Sequence, residues 1–163
     1  MRKLTWIGVV CLVATCAART GPSLSQFRMT PAELRSIRSG DAPNPKFPGV
    51  TIKVLFGDPA KEGFYSILFF APPHMTLQAH SHRDNRVATV VSGQWSVGYG
   101  KQYDEGGLKL LPPGSVYSEP AGVDHFARTG DEQAIVHVCG YGPTDTQFFD
   151  PKNDPTLPGK KSD

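Results

Sequence analysis

The chain has 163 residues, enough for one domain whose core can hold it together without disulfides. Charged residues make up 20% of it and the formal net charge is +2, which gives no basis for binding nucleic acid or an anionic membrane surface. Glycine (17) and proline (15) are plentiful but scattered, which suits an all-β chain with many tight turns and excludes low-complexity disorder.

In chain order, "MRKLTWIGVVCLVATCAAR" comes first. A basic start at Arg2 and Lys3 leads into an apolar run from Leu4 to Ala18 that ends in small residues. This is the layout of a secretory signal peptide over residues 1–18, and it predicts a periplasmic or secreted protein. The run is shorter than the ~20 residues of a membrane-spanning helix, and polar chain follows at once. Cys16 offers a weaker lipoprotein reading, because Thr15 fits poorly before a lipidated cysteine. Without Arg2 and Lys3, Lys+Arg falls from 17 to 15 and equals Asp+Glu at 15, so the net charge falls from +2 to zero. Cys11 and Cys16 go with that segment or are lipidated, and Cys139 alone cannot staple the fold.

Residues 19–48 read as a polar leader with one short helix. In "TPAELRSIRSG", Thr30 is an N-cap, Pro31 takes the first helical position and Glu33 closes a capping box. Gly40 is the expected stop, and "DAPNPKFPG" beyond it cannot be helical. From residue 49 to 150 short β-branched and aromatic runs alternate with turn-forming segments. The runs are "VTIKVLFG", "GFYSILFFA", "HMTLQAHSH", "VATVVSG", "QWSVGYG", "LKLL", "SVYSE", "AIVHVCG" and "TQFFD". None sustains a helical period, so about nine strands are expected in a β-sandwich or barrel. Trp95, Tyr99, Tyr117, Phe64 and Phe126 are expected in its wall, half of them facing outward. Residues 151–163, "PKNDPTLPGKKSD", read as a polar, frayed tail.

The chemistry concentrates in "QAHSHRDNRVATVVSG" at 78–93. In a strand, residues two apart share a face, so His80 and His82 point together, with Gln78 in line before them. Two imidazoles do not close a zinc-type site; a third donor must come from another strand. His125, in "PPGSVYSEPAGVDHFART", is the candidate. His74 reads as a loop histidine. His137 shares a strand face with Ile135 and Cys139, which allows it either to orient a ligand imidazole or simply to pack. Cys139 is a soft ligand if it lines the cavity and an inert thiol otherwise. No G-x-S-x-G, phosphate loop or glycosidase carboxylate pair is present.

The spacings from His80 through His82 to Gly93, and from Gly114 through Pro120 and Gly122 to His125, resemble both motifs of the cupin superfamily. The first is H-x-H, three or four residues, Glu, six residues, Gly; the second is G-x5-P-x-G-x2-H-x3-N. The resemblance covers roughly residues 50–150. It is closest to small secreted single-domain bacterial cupins, through the entry "VLFGDPAKEGFY" and the tail "DPKNDP". It implies a jelly-roll barrel whose mouth binds one divalent ion, with His80, His82 and His125 as ligands to Zn²⁺, Mn²⁺, Fe²⁺ or Ni²⁺. It also implies a small-molecule ligand and pairing into a homodimer.

The chain departs from those motifs twice: Thr129 stands for Asn, and Arg86 stands where the metal-binding glutamate belongs. A guanidinium has no lone pair for a metal and repels a cation. Three readings of Arg86 follow. Three histidines alone hold the ion, and Arg86 grips an anionic substrate as a catalytic residue. Alternatively, a bulge moves Asp84 or Asn85 into the ligand position. In the third reading the metal is lost and the cavity binds an organic ligand or nothing. Glu119 could supply the missing carboxylate from a neighbouring strand, although most such acids face water. The functions expected are a metal-dependent enzyme on a small oxygen-rich molecule, a non-catalytic metal or metabolite sensor, or a metal-free structural dimer.

Overall fold

The computed structural model describes residues 26–37 and 39–158. The predicted signal peptide lies outside them. Helix α1 (Pro31–Ser36) forms as the sequence predicts: Thr30 caps it, with Oγ1 accepting from Glu33 N at 3.3 Å while the Glu33 carboxylate accepts from Thr30 N at 2.6 Å. It ends before Gly40, with Ile37 already extended, so the predicted glycine stop is not what terminates it.

Eleven strands follow: β1 (Ala42–Pro43), β2 (Thr51–Phe56), β3 (Gly63–Ala71), β4 (Thr76–Ser81), β5 (Arg86–Ser92), β6 (Trp95–Tyr99), β7 (Lys109–Leu111), β8 (Val116–Glu119), β9 (His125–Thr129), β10 (Ala134–Gly142) and β11 (Gln147–Phe148). They form two antiparallel sheets, ordered β1-β2-β3-β10-β5-β8 and β11-β4-β9-β6-β7. Four pairings are nested in the chain: β6 with β7, β5 with β8, β4 with β9, and β3 with β10. Successive pairs fall in alternate sheets. That nesting is a jelly roll. The expected closed barrel is not formed, because among the described residues no ladder joins one sheet to the other. The nine quoted runs omit β9, although a separate strand was expected to carry His125. "HFART" carries an arginine and a single β-branched residue, so its β signal is weak.

The core lies between the sheets. Tyr65, Ile67 and Ala71 of β3 and Val136 and Val138 of β10 face inward, meeting Leu77, Ala127, Trp95 and Val97 from the other sheet. The alternate residues Leu68, Phe70 and Ile135 form a second buried cluster on the outer face, covered by Leu34 and Ile37 of the helical leader. Thus α1 hides a sheet face that would otherwise be an exposed apolar patch. Of the wall aromatics, Trp95 and Phe126 are buried while Phe64 and Tyr99 are exposed; Trp95 and Tyr99 share a face of β6, and Tyr99 is exposed at the end of that strand.

The described part of the tail is tied down. Pro151–Asn153 makes a 3₁₀ turn capped by Asp150, and the Lys46 ammonium donates to Asp154 Oδ2 at 2.6 Å and to Thr156 Oγ1 at 2.9 Å. This clasp fixes the lead-in segment that carries Phe47 into the core. The Lys46 hydrogen bond holds the Asp154 carboxyl at about 2, below its ordinary 3.8. A depressed folded-state value means the clasp is complete above about pH 4 and is lost as pH falls through about 2. An NMR titration of the Asp154 carboxyl should give a midpoint near 2 that returns toward 3.8 in Lys46→Met. An unchanged midpoint in that variant contradicts the clasp.

Candidate metal centre

Each of the three histidines is placed by a different local cause. His80 lies in β4 and pairs directly with His125 of β9, so the two rings meet across adjacent strands with centroids 4.4 Å apart. His82 follows the end of β4. Its carbonyl accepts from Gly122 N at 2.8 Å, which docks the first motif on the turn of the second. Gly122 holds that turn at φ +72°, a conformation that favours glycine. The ligand nitrogens of His80, His82 and His125 all lie within 4.8 Å of one another, and each ring is 3% exposed.

Hydrogen bonds fix which nitrogen faces the centre. Nδ1 of His80 donates to the Gln78 carbonyl at 2.7 Å, that of His82 to the Asp145 carbonyl at 2.5 Å, and that of His125 to the Val123 carbonyl at 3.2 Å. A carbonyl can only accept, so the proton of each neutral ring sits on Nδ1 and Nε2 keeps its lone pair. His82 Nε2 is buried with no hydrogen-bond partner. Burial pushes His80 well below its ordinary value and His82 down to about 3, with the other histidines adding to the first and Arg86 to the second. These rings are therefore neutral at physiological pH. Buried imidazoles sharing one centre, an orphaned Nε2, and backbone carbonyls behind every ring are the donor set and orienting contacts of a three-histidine site. The residues fit a divalent ion.

Arg86 is already paired within the chain. It opposes Glu119 directly across the β5–β8 ladder. Its Nε donates to Glu119 Oε2 at 2.7 Å, and its second terminal nitrogen makes a further short bond to the same oxygen. Glu119, expected to face water, is 5% exposed and points at the histidines: Oε2 lies 3.5 Å from His82 Nε2 and Oε1 3.7 Å from His125 Nε2. Burial alone would raise Glu119; the adjacent Arg86 guanidinium overrides it and holds the carboxyl ionised, at about 2. A signal for this was present in "SVYSE". Val116 is exposed, so strand alternation turns Tyr117 and Glu119 inward together.

The bulge reading of the first motif fails. Asp84 Oδ2 accepts from the buried Tyr65 hydroxyl at 2.6 Å, and Asn85 Oδ1 accepts from Ala121 N at 2.9 Å, so both side chains are engaged elsewhere. His137 and Cys139 are likewise removed from the centre. They line a groove on the outer sheet face, where His137 Nε2 lies 2.7 Å from Ser66 Oγ and 3.5 Å from Cys139 Sγ. Neither orients a ligand imidazole. His74 sits in a turn at φ +56° near Asp131, outside the cluster.

The three histidines, Arg86 and Glu119 line a cavity of about 460 Å³ between the sheets. Much of its remaining wall is apolar, built from residues such as Phe47, Ile67, Phe69, Leu77, Trp95 and Val138. Tyr117, whose hydroxyl accepts from Trp95 Nε1 at 3.0 Å, also lines it. Burial holds that phenol well above its ordinary value, so its O–H remains a donor at neutral pH.

No family model matches the chain. Among curated proteins it is similar to the H2HPP isomerase of Bacillus subtilis, at 29% identity over 72 residues; these are 44% of this chain and only 29% of that protein's length. Among solved structures it is similar to the polyketide cyclase RemF of Streptomyces resistomycificus. The TM-score is 0.61 at 18% identity, covering 80% of this chain and 90% of that one. A cupin-like protein of Thermotoga maritima gives a TM-score of 0.54 at 18% identity, covering 75% and 96% of the two chains. A double-stranded β-helix protein of Klebsiella pneumoniae gives 0.52 at 16%, covering 76% and 98%. Nested strand pairing, both histidine motifs and these likenesses agree: the chain has the fold of the cupin superfamily.

Proposed function

We propose that the chain is an exported, metal-dependent cupin enzyme acting on a small molecule with an apolar body and a carboxylate or carbonyl oxygen at one end. The observation that carries this reading is the convergence of three buried imidazole nitrogens in a largely apolar cavity. Export rests on the basic start and apolar run of residues 1–18.

His80, His82 and His125 would hold the ion, which when bound acts as a Lewis acid on a substrate oxygen. The chain's own groups do the rest. Three backbone carbonyls keep the imidazoles in the tautomer that binds a cation. The apolar wall displaces water and strengthens each polar contact inside. The Tyr117 hydroxyl lines the cavity and hydrogen-bonds the Glu119 carboxylate there. Arg86 serves the site by holding Glu119, so the anion-gripping role expected of it is already satisfied within the protein.

The orphaned His82 Nε2 favours the metal-bound reading over a metal-free scaffold. Leaving a buried polar atom without a partner costs on the order of 1–3 kcal/mol, and His82 Nε2 is in that state. A bound cation removes the penalty.

Two outcomes are expected. Protein purified after export should carry about one divalent ion per chain, and His82→Ala should lower metal affinity by about 100-fold or more, since losing even an outer partner costs 10–100-fold. Metal analysis showing equal content in the two proteins contradicts the site. In the metal-loaded protein, an aromatic keto acid such as phenylpyruvate should raise the melting temperature more than pyruvate at equal concentration. Equal shifts would contradict a ligand with an apolar body.

A further inference from the structure

Three histidines supply no charge to a divalent ion, and the position that should add a carboxylate holds a cation. We propose that Glu119 is the fourth metal ligand of this site, its carboxylate supplied from β8, and that Arg86 is its positioning residue. This rests on the metal-dependent reading above and adds a specific donor to it.

The first argument is steric and electrostatic. Glu119 Oε2 faces His82 Nε2 at 3.5 Å, and Oε1 faces His125 Nε2 at 3.7 Å. His82 Nδ1 is committed to the Asp145 carbonyl and its Nε2 has no hydrogen-bond partner, so its approach sets a carboxylate oxygen against an unpartnered buried nitrogen. Two acceptors in a buried site repel unless a shared cation lies between them. The spacing suits one. Donors about 2.0–2.1 Å from a four-coordinate ion lie roughly 3.3–3.4 Å from each other, close to both separations.

The second argument is the register. Arg86 and Glu119 are direct partners across β5 and β8, so their β-carbons are neighbours and their side chains leave the ladder from nearly the same place. Exchanging a glutamate at 86 for one at 119 therefore moves the carboxylate's origin by one strand spacing and keeps it aimed at the same centre. The guanidinium binds one face of that carboxylate through Oε2 and leaves Oε1 toward His125. It fixes the direction of the carboxylate, and the carboxylate neutralises the charge that would otherwise repel the ion. The other nearby side chains are turned elsewhere: Asp84 accepts from Tyr65 through Oδ2 and lies outside the histidine cluster, Asn85 is held by Ala121, and the Asp145 carboxylate by Arg83 and Gln147.

The test is Co²⁺ binding by calorimetry together with the visible spectrum of the bound ion, which reports the donor set independently of turnover. Removing Glu119 alone would strand a buried guanidinium, so the pair is changed together. The neutral variant Arg86→Gln/Glu119→Gln should bind Co²⁺ about 100-fold more weakly, with an altered spectrum. The exchange variant Arg86→Glu/Glu119→Arg should stay within about 3-fold of wild type, because the carboxylate reaches the ion from either strand. Glu119 is not a ligand if the neutral variant keeps wild-type affinity and spectrum, or if the exchange variant binds tenfold tighter or more by gaining a donor that wild type lacked. Should the exchange variant fail to fold, the neutral pair decides alone. A wild type that binds Co²⁺ no better than His82→Ala overturns the metal reading itself, an outcome distinct from failure of the glutamate.

Discussion

The site depends on three hydrogen bonds from imidazole Nδ1 to backbone carbonyls. They are ordinary in strength, and their effect is directional. By taking the proton of each ring on the side away from the cavity, the carbonyls of Gln78, Asp145 and Val123 oblige three lone pairs to face a common centre. Burial then disfavours protonating the rings of His80 and His82. The result is a buried set of nitrogen donors that could hold a cation.

The fold makes this convergence possible by nesting its strands. The pairing of β4 with β9 puts His80 beside His125 in one sheet, and that of β5 with β8 puts Arg86 beside Glu119 in the other. Facing sheets bring the two cross-strand pairs to the same end of the cavity. Glycines finish the placement. At Gly93, held at φ +77°, a side chain would meet the Gln133 carbonyl at 2.3 Å, so only glycine lets β5 return this closely past the start of β10. The lead-in segment closes part of the wall with Phe47, whose ring packs edge-on to His80 at 4.8 Å, and the Lys46–Asp154 clasp holds that segment in place.

Much of this was legible in the sequence. Alternation marked most strands, the capping box marked α1, and motif spacing identified the three histidines before any coordinate was known. Three features were not legible, each for a physical reason. β9 is too short and too polar to announce itself, and it is a strand because two neighbours hydrogen-bond to it. The direction of Arg86 depended on a partner 33 residues away, and only the ladder register shows that the partner is an acid. The outward direction of His137 and Cys139 followed from which face of β10 meets the core, a choice that alternation leaves open between two answers. The cavity is mainly apolar because inward faces of both sheets converge on it, a property of packing rather than of any motif.

With Glu119 in the role we propose, the Arg86–Glu119 pair would let the motif lose its usual residue without losing the chemistry that residue served. Across a ladder, two positions that face each other are interchangeable in a way that neighbours along the chain are not. The account stands on the tautomers, and they can be observed directly. A long-range ¹H–¹⁵N correlation spectrum of the metal-free protein at neutral pH should show His80, His82 and His125 all protonated at Nδ1, with Nε2 bare. Finding the proton on Nε2 of His82 would place a hydrogen bond to Glu119 where the account requires a metal, and would contradict it.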